Sequence, residues 1–435
     1  MSELALFGGK RTIESPLKYY SSLGPEETKA VADVMVSGRL SEFIGAYCDE
    51  FYGGPLIREF EKNWCEEFQC DFAVSVNSNT SGLIAAMGAV GVGPGDEVIV
   101  PPWTMSATAL APLFYGGVPV FADIEDDYFC LSLASVEQKI TSKTKAIIAV
   151  NLFGHPAELA KLRALADAKG IFLIEDNAQA PHAKEGDRLA GTIGHIGIAS
   201  LNYHKHIHTG EGGVCTTNDE VLAKKLQLIR NHGENAVEEL GIEDITNIVG
   251  FNFRMSELAA AIGISQIKKS KGLVDQRIAL ADRLSNRLRD IDGLTVPKVR
   301  DNCTNSYYIW AAKLDVEKLG VERSVIARAL EAEGVPTGMG YVKPLYNLPL
   351  FMQRKAIGNK GFPFTLSDRN YDIAACETIC DSCSCARSCP VVEELHSNSL
   401  IEFAICSYQL DGDEIDRIAD AYAKVFSNIN LLKKL

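Results

Sequence analysis

The chain has 435 residues, 46% hydrophobic and 23% charged, a composition typical of a soluble globular enzyme and a length suited to about two domains. Its formal net charge of −14 argues against a nucleic-acid partner, which asks for a basic face. No apolar run approaches the ~20 residues of a membrane helix, and the opening MSELALFGGKRT lacks the regions of a secretory leader, so a cytoplasmic protein with no membrane partner is expected.

In chain order, residues 1–25 read as an irregular N-terminal arm. Pro55 opens a helix that sets Leu56, Phe60 and Trp64 on one face. Short apolar strands are expected at 72–76, 97–100, 118–124, 146–150 and 171–174. Between them fall a small-residue helix at 80–90 and an amphipathic one at 156–169. This alternation predicts an α/β fold with a mostly parallel sheet covered on both faces. From about residue 220 the texture turns helical, with helices at 220–230 and 255–268. A separate charged helix at 273–291 reads as the connector into a second domain. A strand at 307–314 and helices at 323–333 and 412–426 follow, around a Cys-rich insertion near 353–389. The domain expectation is therefore an arm at 1–25, a large domain at 26–272 and a smaller C-terminal α+β domain at 273–435.

Twelve cysteines in a long chain without an export signal are expected to be free thiols. Five of them, Cys376, Cys380, Cys383, Cys385 and Cys389, cluster. Their spacing matches no standard zinc or iron–sulfur ligand set, so a thiol-rich insertion without metal is expected. His204, His206 and His208 alternate as strand neighbours do. A lysine lies among them and no carboxylate or cysteine ligand accompanies them, which favours pocket or packing roles.

Two segments carry the chemistry. Ser200-Leu-Asn-Tyr-His-Lys-His-Ile-His-Thr-Gly-Glu-Gly-Gly213 puts Lys205 after a strand and before a glycine-rich turn. Ile171-Phe-Leu-Ile-Glu-Asp176 ends an apolar strand in acid, with Gln179 three residues on. A lysine able to form a Schiff base and an acid able to hold a pyridine nitrogen are what a pyridoxal 5'-phosphate (PLP) site needs most. Ligands of open α/β sheets bind beyond the carboxyl ends of strands, where Asp176 falls, whereas Glu175 points to the other face. Gln179 suits the ring hydroxyl. Ser78-Asn-Thr80, between a strand and a helix start, suits a phosphate, although a plain N-cap has the same geometry. Ser200 can add a hydroxyl. Trp103, after Pro101-Pro102, suits stacking on the pyridine ring, with buried packing the even alternative. Arg230 and Arg254 are candidate carboxylate clamps or structural ion pairs.

Five ordered motifs, Asn77–Leu83, Gly93–Pro101, Ile174–Ala180, His204–Gly213 and Gly250–Glu257, resemble the DegT/DnrJ/EryC1/StrS sugar aminotransferases from about residue 24 to the last helix. The resemblance implies a PLP fold type I architecture, a three-layer αβα large domain, and a homodimer with shared active sites. By position it implies Lys205 as the Schiff-base lysine, Asp176 at the pyridine nitrogen, Gln179 at the ring hydroxyl and Trp103 as the stacking aromatic. It further implies Asn79, Thr80 and Ser200 at the phosphate, with Asn252 reaching the phosphate from the neighbouring subunit. The usual Ser-Gly-Thr cup is Ser78-Asn-Thr80 here, and His206 stands where an asparagine often follows the lysine. A dehydratase branch carries histidine in place of the lysine, so Lys205 implies transamination. The implied substrates are L-glutamate and a keto- or aldehydo-sugar, first 8-oxo-3,8-dideoxy-manno-octulosonate of lipopolysaccharide synthesis. The alternatives are a nucleotide-linked 4-keto- or 3-keto-6-deoxyhexose and, from another class, a non-catalytic PLP- or sugar-binding sensor.

Overall fold

A computed structural model describes residues 3–367 and 389–435. Strands β1 (Phe72–Val76), β2 (Glu97–Val100), β3 (Val118–Phe121), β4 (Thr144–Val150), β5 (Phe172–Asp176), β8 (Ile196–Ser200) and β9 (Gly213–Thr217) form a seven-stranded sheet; the short β6 (Lys184–Glu185) and β7 (Arg188–Leu189) lie outside it. The order is β1-β9-β8-β5-β4-β2-β3. The pairs β2–β3, β2–β4, β4–β5 and β5–β8 are parallel. Strand β9 runs antiparallel to both β1 and β8. The other six strands therefore share one direction, and their carboxyl ends open on a single edge.

The strands read as apolar runs because both faces are covered: all four residues of β2 and of β3 are buried. Helix α1 (Pro25–Ser37) and helix α2 (Pro55–Phe68) precede the sheet, and α2 turns Ile57, Phe60, Trp64 and Phe68 inward. Helix α3 (Asn79–Ala89) lies close on the sheet because its residues are small. A Cβ at Gly82 would stand 2.7 Å from Ile198 and 3.0 Å from the Cys215 sulfur.

The helices expected at 255–268 and 273–291 are one element, Glu257–Leu288, of 32 residues, about 48 Å long. Gly272 lies between the two expected spans. Its site is open, with nothing within 4 Å of where a Cβ would stand, so the glycine costs only about 1 kcal/mol of helix propensity. Burial on both sides of it, at Ser270 and at Val274 and Arg277, offsets that.

The long helix then leads to strands β10 (Leu294–Thr295), β11 (Cys303–Thr304), β12 (Trp310–Leu314), β13 (Gly338–Met339) and β14 (Leu400–Phe403), of which β10, β12, β14 and β13 form a second sheet in that order. Its core includes Trp310, Phe403 and Tyr422, and also Leu4 and Ile13 from the N-terminal arm. The arm is irregular but anchored. The Glu333 carboxylate accepts from the Ala5 and Thr12 N–H groups at 2.8 and 3.0 Å and pairs with Lys424 at 2.8 Å.

Candidate active site

Residues far apart in sequence meet at the carboxyl edge of the large sheet. Asp176 closes β5 and is 4% exposed. Its Oδ2 accepts from the Thr108 hydroxyl at 3.0 Å, and its Oδ1 accepts from Asn79 Nδ2 at 3.3 Å and the Ala178 N–H at 3.2 Å. Burial pushes this carboxyl above its ordinary value, opposed by those bonds and by the Lys205 charge. Glu175, on the opposite face, accepts from the Gly191, Ile193 and Gly194 N–H groups, so it serves the scaffold.

Lys205 sits on the excursion between β8 and β9. Bonds from the Leu201 N–H to the Gly212 carbonyl and from the Thr209 N–H to the Leu201 carbonyl, both 2.9 Å, close that loop. The lysine is 8% exposed, and its Nζ lies 4.3 Å from the centroid of the Tyr308 ring. Burial lowers its pKa to about 8, with Asp176 and Cys406 pulling the other way. The structure thus holds a buried amine that releases its proton near neutrality, with a buried acid in electrostatic reach.

Gln179 bridges two neighbours. Its Oε1 accepts from the Phe153 N–H at 2.8 Å and its Nε2 donates to the Tyr341 hydroxyl at 3.0 Å. Phe153, Tyr307 and Tyr341 all have left-handed backbone, with φ of 58°, 51° and 53°. Such strain costs on the order of 1–3 kcal/mol per residue and gathers where geometry is functionally constrained.

At the start of α3, Ser78 caps the helix by accepting from the Ser81 N–H at 3.1 Å. The first N–H groups, at Asn79 and Thr80, have no intrahelical acceptor, the arrangement that suits an anion. The Asn79 side chain turns to Asp176, so its backbone N–H stays clear of that contact. Gly213 packs against this turn so closely that a Cβ would stand 2.6 Å from the Ser78 carbonyl carbon. Ser200 ends β8 at the same edge, its hydroxyl accepting from the Asn202 N–H at 3.3 Å.

Other expectations need correction. Trp103 is wholly buried, its indole N–H directed to the Val342 and Gly340 carbonyls at 2.9 and 3.2 Å. Phe129, Phe153 and Tyr341 meet it edge-on. With no exposed surface it offers no free face for stacking; Met105, two residues on, stands 58% exposed. Asn252 is exposed, its Oδ1 accepting from Arg254 Nε at 2.7 Å, and the next residue, Phe253, accepts from the Asn77 N–H at 2.8 Å. Arg230 is no clamp here: it is fully buried against Glu61 at 2.6 Å. His204 bonds the Tyr308 hydroxyl and His206 the Ser306 carbonyl, at 2.7 and 2.9 Å, so the histidines have separate partners. Cys389 is buried and free; Cys376, Cys380, Cys383 and Cys385 lie outside the described residues.

Thr108, Tyr308, Tyr341 and Cys406 complete the neighbourhood and were not found by sequence reasoning. Their residue types are common and their segments lie far from the two motifs. The donor set fits PLP: a lysine of lowered pKa, a hydrogen-bonded buried acid, a buried amide and a helix N-terminus.

A family model for the DegT/DnrJ/EryC1/StrS aminotransferase family matches residues 24–373. The chain is 31% identical over 352 residues to the spore coat polysaccharide biosynthesis protein SpsC of Bacillus subtilis (strain 168), covering 78% of this chain and 86% of that protein. It is 30% identical over 322 residues to the GDP-perosamine synthase of Escherichia coli O157:H7, covering 73% and 86%. The structure superposes on an aminotransferase from Psychrobacter cryohalolentis with TM-score 0.79 and 29% identity, covering 95% of this chain and all of that one. The chain belongs to the DegT/DnrJ/EryC1/StrS aminotransferase family, PLP-dependent enzymes that act on sugars.

Proposed function

We propose that this sugar aminotransferase works through Lys205, taking nitrogen from L-glutamate and giving it to a keto- or aldehydo-sugar. The observation that carries the reading is the buried Lys205 amine, with its pKa lowered to about 8, in electrostatic reach of Asp176 at the sheet edge. Bound PLP supplies the aldehyde that takes up nitrogen and the electron sink that makes the adjacent carbon acidic. Asp176 would hold the ring-nitrogen proton, Gln179 the ring hydroxyl, and the Asn79–Thr80 backbone with Ser200 the phosphate. Lys205 Nζ would take and return the proton of the nitrogen-bearing carbon, which its lowered pKa suits it to do near neutral pH. Asn252 would reach a phosphate in the neighbouring subunit of a homodimer.

For the acceptor, the reading is an acidic eight-carbon sugar, 8-oxo-3,8-dideoxy-manno-octulosonate, aminated in the cytoplasm for lipopolysaccharide. A nucleotide-linked ketohexose is the second reading, supported by the similarity to a GDP-perosamine synthase. Glutamate should convert the cofactor to its amine form, seen as a shift of its absorption band. The amine form is then offered each oxo-sugar in turn. Return of the original band with the octulosonate alone supports the first acceptor, and return with only the nucleotide sugar supports the second. No change with glutamate would refute the donor.

A further inference from the structure

A second cavity, of about 830 Å³, opens between the N-terminal arm, the long helix Glu257–Leu288 and the segment 405–417. Arg277 projects from the long helix into its wall and is only 7% exposed. Its guanidinium lies over the Tyr20 ring, 4.7 Å from the centroid. Arg277 Nη1 and the Tyr20 hydroxyl are both buried without a hydrogen-bond partner. Among the described residues no carboxylate pairs with Arg277, and the neighbouring acceptor is the Cys406 thiol.

A buried guanidinium without a counter-ion is disfavoured, because burial strips its water and a ring face and a thiol return only part of that loss. The acids of this cavity are engaged elsewhere. Glu14 pairs with Lys10 at 2.6 Å. Asp411 caps the last long helix by accepting from the Asp413 and Glu414 N–H groups. Glu414 accepts from Arg417 at 3.1 Å. Among the described residues Arg277 and Lys18, the latter at the exposed rim, are the lining cations without a carboxylate partner.

We propose that this cavity is an accessory oxyanion site, in which the Arg277 fork and the Tyr20 hydroxyl receive a small carboxylate or phosphate. A planar guanidinium matches either group with paired hydrogen bonds. The site is distinct from the Lys205 site and does not depend on how that site is read. The buried Cys406 thiol feels the charge of both Arg277 and Lys205.

The test is calorimetric titration of the full-length holoenzyme with sodium malonate and, separately, with inorganic phosphate. One saturable event per chain is expected with at least one probe; malonate alone marks a carboxylate ligand and phosphate alone a phosphate ligand. Affinity should fall at least about tenfold, the equivalent of about 1.4 kcal/mol, in Arg277→Met. It should fall likewise in Gln276→Trp, which fills the cavity from an exposed helix position while keeping Arg277. Lys205→Ala should leave the affinity unchanged. Saturation by neither probe, binding that survives both cavity substitutions, or binding lost in Lys205→Ala would overturn the proposal. If Arg277→Met does not fold, Gln276→Trp decides.

Discussion

Burial and charge pull against each other at Lys205, and the balance makes the residue useful. An ordinary lysine, with pKa near 10.4, is almost wholly protonated at neutral pH. With its pKa lowered to about 8, roughly a tenth of Lys205 is free amine at pH 7. Only the free amine attacks an aldehyde, so PLP uptake by the apoprotein should accelerate as pH rises through about 8 and level off above it. Stopped-flow absorption across pH checks this. The Asp176 carboxylate raises the lysine pKa, so Asp176→Asn should move that midpoint to lower pH. It should also cut turnover by on the order of 10²–10³-fold, as loss of one preorganised electrostatic partner does. A midpoint unmoved by Asp176→Asn would separate the two groups.

At the scale of elements, the tight packing of β9 on the start of α3 shapes the proposed phosphate cup. Gly213→Ala pushes a methyl into backbone at 2.6–2.8 Å. Such overpacking costs about 1–3 kcal/mol, so PLP affinity should fall roughly tenfold or more while circular dichroism stays native. The arm has its own staple in Glu333. Burial alone would raise its pKa, but the bonds from Ala5, Lys424 and Thr12 outweigh burial and hold it below the ordinary value. A depressed carboxylate stabilises above its unfolded pKa, near 4.3, and loses that contribution as pH falls through its folded value. Glu333→Gln should therefore cost about 1.5–3 kcal/mol at neutral pH, with the gap from wild type closing in acid; denaturant titrations at pH 7 and below pH 4 read both. The parallel sheet was legible because its strands are short apolar runs between turn signals. Strand 72–76 and helix 220–230 came out with the expected bounds. The long helix was read as two, with a gap at 269–272, because propensity is local, whereas its continuity comes from packing on both sides.

At the scale of the whole molecule, sequence order hides what folding joins. The loop after β1, the end of β5 and the loop after β8 were readable because their motifs carry unusual residues in fixed order. Tyr308 and Tyr341 were not, since nothing local marks a tyrosine that will face Lys205, as Tyr308 does, or bond Gln179, as Tyr341 does. Trp103 misled because an aromatic beside a site packs or stacks with the same sequence signature. Asn252 bears on the proposed homodimer, since it is exposed within one chain. If it serves the neighbouring subunit, mixed dimers of Lys205→Ala and Asn252→Asp chains should recover activity that neither variant has alone, because one site in each mixed dimer is then intact. Light scattering and activity of the co-purified mixture measure this, and no recovery in a confirmed mixed dimer would place Asn252 elsewhere. The proposed chemistry depends above all on which amine holds the cofactor. Borohydride reduction of the holoenzyme followed by peptide mass spectrometry should find the pyridoxyl adduct on Lys205 and nowhere else; an adduct on another lysine, or none on a protein that has bound PLP, would contradict it.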